Sequence, residues 1–458
     1  MTCKTTKLDW LIALFLLIVQ QSAFVLLADE RVNTEQVVVE QTEIKSRVYV
    51  KKEETEEFQS PANTVCITIS MVLLIVASIR HWKNINTVIK TNPFAILFLM
   101  TILASIAWSA YPDISARRGI GYLISIYVCI YMVSAFSIDN CMRVILYSFI
   151  ISAIGSILYV IVYPNFAIMV EESVEGNWRG VFNEKNTLGH QMALGFFVQL
   201  YVLAGGGKAG WGWFWVSVFF GLVFLSKSST ALILCLVYIS MFFPYVAWMK
   251  NKCLGLSVFC AYLIGIILIG IIFAVDPDTI FNVLGKESTL TGRTDIWAVL
   301  MDWVDLKPVL GWGYKATFIA GDQMTLAFWD KMRWKVPNAH NSYLQVIIEL
   351  GYGGFLILLA FFISCLWRVF SCCLKGILPL GYFALLFFMG SFVSGWSESM
   401  MGTNQSMEWN MFNILAFACG LYLTEHSRRR VRLAQSPDGD LDRSELPVLG
   451  KTAVTTEP

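Results

Sequence analysis

The chain has 458 residues, 56 % hydrophobic and 15 % charged, with a formal net charge of +1 and four histidines. A soluble domain carries about a quarter charged residues. The shortfall, a mean hydropathy of +0.61 and repeated apolar runs of about 20 residues mark an all-α polytopic membrane protein. The balanced charge, with no basic aromatic stripe, excludes a nucleic-acid partner. The eleven cysteines include no Cys-x-x-Cys pair and lie mostly in apolar runs or short basic loops, which argues against a disulfide framework or a zinc site.

The opening MTCKTTKLDWLIALFLLIVQQSAF has basic residues before an apolar core. That is the outline of a signal peptide, but VLLADE lacks a clean small-x-small cleavage site, so residues 1–28 are read as a retained transmembrane anchor. Residues 29–61 are an acidic, solvated insert. Residues 62–275 hold helices 2–9, near 62–79, 93–110, 120–138, 144–163, 187–204, 211–226, 229–248 and 254–275. A long loop, 276–341, follows. Residues 342–424 hold the last three helices, near 342–364, 376–395 and 408–424, and 425–458 form a polar, Pro- and Gly-punctuated tail expected to be disordered. Backbone polar groups cannot go unsatisfied in lipid, so these runs are predicted as about 12 transmembrane helices.

The orientation follows from the basic loops. With the N-terminus inside, MTCKTTK, RHWKNINTVIK, DNCMR, GGGKAG, MKNKC, RVFSCCLK and the SRRRVR tail all face the cytoplasm, and each carries Lys or Arg. Both termini are then cytoplasmic, and the long loop faces outward.

Arginines on the outer side run against that bias. Arg117 and Arg118 lie in YPDISARRGIG, Arg179 in EGNWRGVFNEKNTLGH and Arg293 in STLTGRTDIW. A guanidinium donates two parallel hydrogen bonds and stays charged, so such a set suggests a lipid-linked phosphate or diphosphate. Snorkelling to phospholipid headgroups, or pairing with Asp113 and Glu184, is the structural alternative. In WRGVFNEKNTLGHQMALG, Asn183, Lys185, Asn186 and His190 bring polar groups to the outer start of a helix, whose free N–H groups favour an anion.

The long loop contains TDIWAVLMDWVDL, with Ile296, Val299, Leu300, Trp303 and Val304 at helical spacing. It is predicted as a short amphipathic helix on the membrane surface. KPVLGWGYKATF is turn-forming and offers aromatic faces on which sugars can stack, with ordinary packing as the alternative. Then comes PNAHNSYLQ, where Asn338, Asn341 or Ser342 caps the next helix. His340 falls at that helix start, where a neutral imidazole can take a proton from a hydroxyl. Glu349 lies about 180° round the helix from His340, at 100° per residue, and is poorly placed to orient its ring. Glu349 and Glu398 are boundary acids, functional candidates by position.

Three segments, RGVFNEKNTLGHQMALG, LTGRTDIWAVLMDWVDLKPVLGWGY and NAHNSYLQVIIELGYGG, resemble the bacterial O-antigen ligase and polysaccharide polymerase family, in the same order and the same membrane setting. The first is closer to the exopolysaccharide-polymerase branch. The resemblance implies a GT-C-like, metal-independent glycosyltransferase without cofactors, in the bacterial inner membrane with its active site facing the periplasm. The donor would be a glycan on undecaprenyl diphosphate. The acceptor would be another lipid-linked glycan in a polymerase or lipid A–core in a ligase, and other polysaccharide assembly and export proteins are implied partners.

By position, His340 would be the base, and Arg179 and Arg293 would bind the diphosphate leaving group. Arg117, Arg118, Lys185, Asn186, Lys227 in LSKSSTAL, Asn341 and Asp295 are the further substrate-binding candidates. Asp295 is also the competing base, though an acid two residues after Arg293 is better read as orienting that arginine. A transporter for lipid-linked glycans is the reading from another class. Its expected repeats and midplane charges contrast with basic residues gathered at the outer surface.

Overall fold

The computed structural model describes residues 5–21, 61–169, 175–275, 293–375, 378–403 and 406–435. The insert at 29–60, the first part of the long loop and the end of the tail lie outside these. The described chain is helical apart from loops and one isolated β-bridge, Ile168 to Trp178. Each expected transmembrane segment falls on a helix: α1 (Lys7–Gln20), α2 (Pro61–Thr91), α3 (Pro93–Ala104), α4 (Pro112–Ala135), α5 (Ile138–Val162), α6 (Lys185–Ala204), α7 (Ala209–Leu225), α8 (Ser229–Lys250) and α9 (Lys252–Val275). Two short helices follow, α10 (Arg293–Leu306) and α11 (Gln323–Met332). The chain ends in α12 (Ser342–Leu374), α13 (Leu378–Ser397) and α14 (Met407–Gln435). Six of these, in α2, α4, α5, α6, α8 and α12, contain windows long and apolar enough to cross a membrane, and α3, α7, α9 and α13 contain shorter apolar stretches.

Three boundaries differ from the sequence reading. RHWKNINTVIK is not a loop but the end of α2, which runs to Thr91 because no breaker intervenes before Pro93 restricts the preceding residue. RVFSCCL lies within α12, and Lys375 is its C-cap. The tail stays helical to Gln435, because TEHSRRRVRLAQ is rich in helix-favouring Glu, Arg, Leu, Ala and Gln. In addition, α11 was not anticipated, although Asp322 accepts from the Thr325 N–H at 2.9 Å and caps it in the manner expected of an N-cap aspartate.

The main core runs through the helix bundle and includes two aromatic stacks. Phe197 lies against Tyr238 and Phe383 at 4.5 and 5.1 Å, and Phe412 lies between Phe388 and Trp409 at 4.0 and 5.2 Å. The first helix is tied in by buried polar side chains. Gln21 donates to Ser148 at 2.7 Å and accepts from Ser152 at 2.6 Å, while Ser125 donates to Gln20. Near the other end of α1, Asp9 meets His81 of α2 at 3.2 Å and Tyr131 of α4 at 3.3 Å. In an apolar setting these pairs fix one rotation and depth for α1, because any slip leaves buried polar groups unpaired.

A second, smaller core carries the site. The apolar stripe of α10 (Ile296, Leu300, Trp303, Val304) packs with Phe328 of α11, Val336, Ala339, and Leu344 and Ile348 of α12. The helix is amphipathic as predicted, but its apolar face is covered by protein rather than laid on lipid.

The loop between α10 and α11 explains the glycines of KPVLGWGYK and ELGYGG together. Within α12, Gly351 has φ 66° and breaks the helix. The carbonyls freed there are not left bare, since Trp312 N–H donates to Ile348 O at 2.9 Å and Gly313 N–H to Glu349 O at 2.8 Å. On the other side of the break, Tyr352 N–H donates to Pro308 O at 2.7 Å. A Cβ at Gly351 would overlap the Val309 carbonyl, and one at Gly311 would overlap Glu349. The loop is therefore a wedge in a broken helix, and its backbone completes the broken ladder. Its aromatics serve that packing: Tyr314 is buried and donates to Gly402 O at 3.1 Å, and Trp312 Nε1 donates to Trp303 O at 3.0 Å.

Candidate active site

His340 stands in the last loop residues before α12, with φ 47°. A non-glycine residue in the left-handed region costs about 1–3 kcal/mol and persists where its surroundings over-determine it. Here they do. The His340 N–H donates to Asn338 Oδ1 at 2.9 Å. The preceding Ala339 N–H donates to Gln345 Oε1 at 2.8 Å, and its carbonyl accepts from Trp297 Nε1 at 2.9 Å. The following Asn341 N–H donates to Ser399 Oγ at 3.1 Å. Asn341 also caps α12, its side chain accepting from Tyr343 N–H and Leu344 N–H at 3.0 Å. The backbone at His340 is thus held from both sides.

The segment after α13 brings in an acid that sequence spacing did not connect to the site. Ser342 Oγ donates to the Glu398 carbonyl at 2.6 Å and accepts from Met400 and Met401 N–H at 2.9 and 3.0 Å. That clasp sets Glu398 against the α12 start. Its Oε2 lies 3.8 Å from His340 Nδ1, and its Oε1 lies 3.3 Å from Arg293 Nη2. All three side chains are partly open, at 22 %, 12 % and 20 % exposure for His340, Glu398 and Arg293. Burial pushes the Glu398 carboxyl up, but its interactions with His340, His190 and Arg293 outweigh that and hold it below 4.5. The site therefore holds a fixed carboxylate between an imidazole and a guanidinium. Neither His340 ring nitrogen makes a hydrogen bond among the described residues.

Behind His340 runs a polar chain inside α12. Gln345 Nε2 donates to Glu349 Oε1 at 2.5 Å, and Lys315 Nζ lies 3.9 Å from the same oxygen. Glu349 faces Lys315 rather than His340, in keeping with the helical arithmetic. Burial lowers the Lys315 ammonium below its ordinary value, with Glu349 opposing and Arg118 adding to the shift.

Among the predicted residues, the structure joins His340, Asn341 and Arg293. Arg118 instead donates to the Lys315 carbonyl at 2.6 Å, and Arg117 is exposed. Arg179 donates from Nε to Phe166 O at 2.8 Å, on a loop whose Trp178 N–H bonds Leu225 O at 3.1 Å. Lys227 lies beside that loop, its Nζ near Gly176. Lys185 opens α6 and Asn186 is exposed, with its carbonyl meeting His190 Nδ1 at 2.8 Å. Asp295 is exposed in the first turn of α10. The acid that meets Arg293 is Glu398, not Asp295. No group of three or more His, Cys, Asp or Glu among the described residues is arranged to hold a metal.

A histidine, a carboxylate and an arginine thus meet beside the start of α12, in a helical protein with six candidate membrane spans among the described residues. The family described as O-antigen ligase matches residues 214–359. The chain is also 28 % identical over 286 residues to the "Exopolysaccharide production protein ExoQ" of Rhizobium meliloti (strain 1021), covering 57 % of this chain and 62 % of that protein. The chain thus aligns with less than two thirds of that relative's length. Together these matches support a likeness to the O-antigen ligase-like, exopolysaccharide-polymerase family.

Proposed function

We propose that the chain is an inner-membrane glycosyltransferase that joins undecaprenyl-diphosphate-linked repeat units into an exopolysaccharide or O-antigen on the periplasmic side. The observation that carries this is the cluster of His340, Glu398 and Arg293, with its imidazole uncommitted. His340 removes the proton from an acceptor sugar hydroxyl. The oxygen attacks the anomeric carbon of the donor as the bond from that carbon to the diphosphate oxygen breaks, and the electron pair leaves on the diphosphate. Direct displacement inverts the anomeric centre. Arg293 and Arg179 match the charge that builds on the leaving group, so fixed cations do this work. Glu398 steadies the imidazolium once the proton has moved, and removal of that proton contributes about 10²–10⁴-fold. Arg118, Arg117, Lys185, Asn186 and Lys227 are the further candidates for binding the lipid-linked diphosphate.

A ligase acting by the same chemistry is the second reading, and the description of the matched family favours it. Purified protein in detergent, given lipid-linked repeat units with and without lipid A–core, separates the two. Growth of polymer ladders without the core lipid is the expected result. Product only on the core lipid would make the chain a ligase. No product in either reaction would remove the enzymatic reading.

A further inference from the structure

The reaction needs a sugar hydroxyl held at the His340 ring, and the residues so far placed are charged groups suited to the diphosphate. The geometry points to Trp334 as the platform that holds the acceptor sugar. This rests on the proposed role of His340 and adds the acceptor side to it.

Trp334 and His340 have ring centroids 6.1 Å apart, tilted by 35°. Three nearby indoles are committed, since Trp297 Nε1 donates to Ala339 O, Trp312 Nε1 to Trp303 O and Trp329 Nε1 to Val336 O, and the exposed Trp396 lies against Trp297 and Tyr343 rather than His340. Trp334, by contrast, is 48 % exposed, and its indole is committed to no carbonyl among the described residues. The chain on either side is fixed. Arg333 ends α11 with φ 62° and its N–H on Asp330 O at 3.2 Å, and Val336 is buried in the second core. A large ring is thus presented outward from an anchored loop beside the candidate base.

A pyranose offers an apolar face of C–H groups and a rim of hydroxyls. An indole is apolar on its face and wide enough to cover one such ring. A sugar lying on Trp334 would keep its C–H face dry and turn a rim hydroxyl toward the imidazole. The other common role of a half-exposed tryptophan in such a protein is as an anchor at the membrane–water interface, and that role would show no dependence on acceptor.

The test uses the purified full-length protein with lipid-linked repeat unit as donor and oligosaccharide fragments of the cell's own polymer as added acceptor. Trp334→Ala should raise the acceptor KM roughly tenfold, equivalent to about 1.4 kcal/mol, with kcat at saturation little changed. Trp334→Phe and Trp334→Tyr should stay near wild type, and Trp334→Leu should resemble alanine. Undecaprenyl diphosphate, which carries no sugar, should inhibit wild type and Trp334→Ala equally. An unchanged acceptor KM, a leucine variant as good as phenylalanine, or weaker inhibition by undecaprenyl diphosphate in Trp334→Ala would each overturn the assignment. If the alanine variant fails to fold, the comparison of leucine with phenylalanine decides alone. His340→Ala run alongside keeps the two ideas apart: activity there would remove the base and leave the Trp334 result as a separate finding.

Discussion

The described residues include two histidine–carboxylate pairs that differ in how far their carboxylates are used up. Asp9 and His81 meet at 3.2 Å with both side chains almost wholly buried, at 2 % and 0 % exposure. Asp9 also takes Thr6 N–H and Thr6 Oγ at 2.8 and 2.7 Å, Tyr131 Oη at 3.3 Å and an ion pair with Arg80 at 3.7 Å. The carboxylate is saturated. Glu398 and His340 stand 3.8 Å apart, partly open, with no hydrogen bond at either imidazole nitrogen among the described residues. The closed pair fixes α1 against α2 and α4, while in the loose pair both His340 ring nitrogens stay without a hydrogen bond among the described residues, the feature on which its proposed role as base rests. Burial and the saturation of the carboxylate, more than residue identity, distinguish the two pairs.

The contrast breaks most sharply by substitution. His340→Ala should lower polymer formation by at least about 100-fold while leaving the detergent-solubilised melting temperature unchanged. Arg293→Lys keeps the charge but loses the planar fork, so a fall in kcat of more than about tenfold is expected; full activity would reduce its role to charge alone. Asp9→Ala should show the opposite profile. It leaves buried donors unpaired at about 1–3 kcal/mol each, which lowers the melting temperature, with activity per folded molecule retained.

Glu398→Gln gives the smallest effect and adds a pH signature. Because the Glu398 carboxyl is lowered in the folded protein, its contribution to stability is fully present above its ordinary value of 4.5 and is lost only as pH falls through the lower folded value. The stability difference between wild type and Glu398→Gln should therefore be present above 4.5 and shrink as pH falls below it. A difference that vanished between pH 7 and 5 would show that the carboxyl is not held low.

The positions of the helices were legible because a lipid-spanning segment must be long and apolar, and each expected run falls on a helix. Their ends were less so: α2 and α14 continue through charged stretches because nothing there breaks a helix, and charge was mistaken for a loop. At the site, the residues near His340 in sequence could be read locally, and the cap at Asn341 was among the candidates. Glu398 could not be linked to them, because the clasp of Ser342 onto the 398–401 backbone joins segments far apart in the chain. It was visible only as an acid at a helix boundary. The aromatics of KPVLGWGYK suggested a sugar surface, yet they pack into the break at Gly351. Only the three-dimensional contact shows that the two glycine motifs are one joint, and that Trp334, in an unremarked loop, is the open ring beside His340.

The most direct test of the account is a time-course comparison of wild type and His340→Ala in detergent, with lipid-linked repeat units as the sole substrate. Wild type should extend the repeat units into a ladder, whereas His340→Ala, equally folded and equally able to retain undecaprenyl diphosphate, should extend them at least about 100-fold more slowly. A ladder of normal length and rate from His340→Ala would contradict the assignment of His340 as the base.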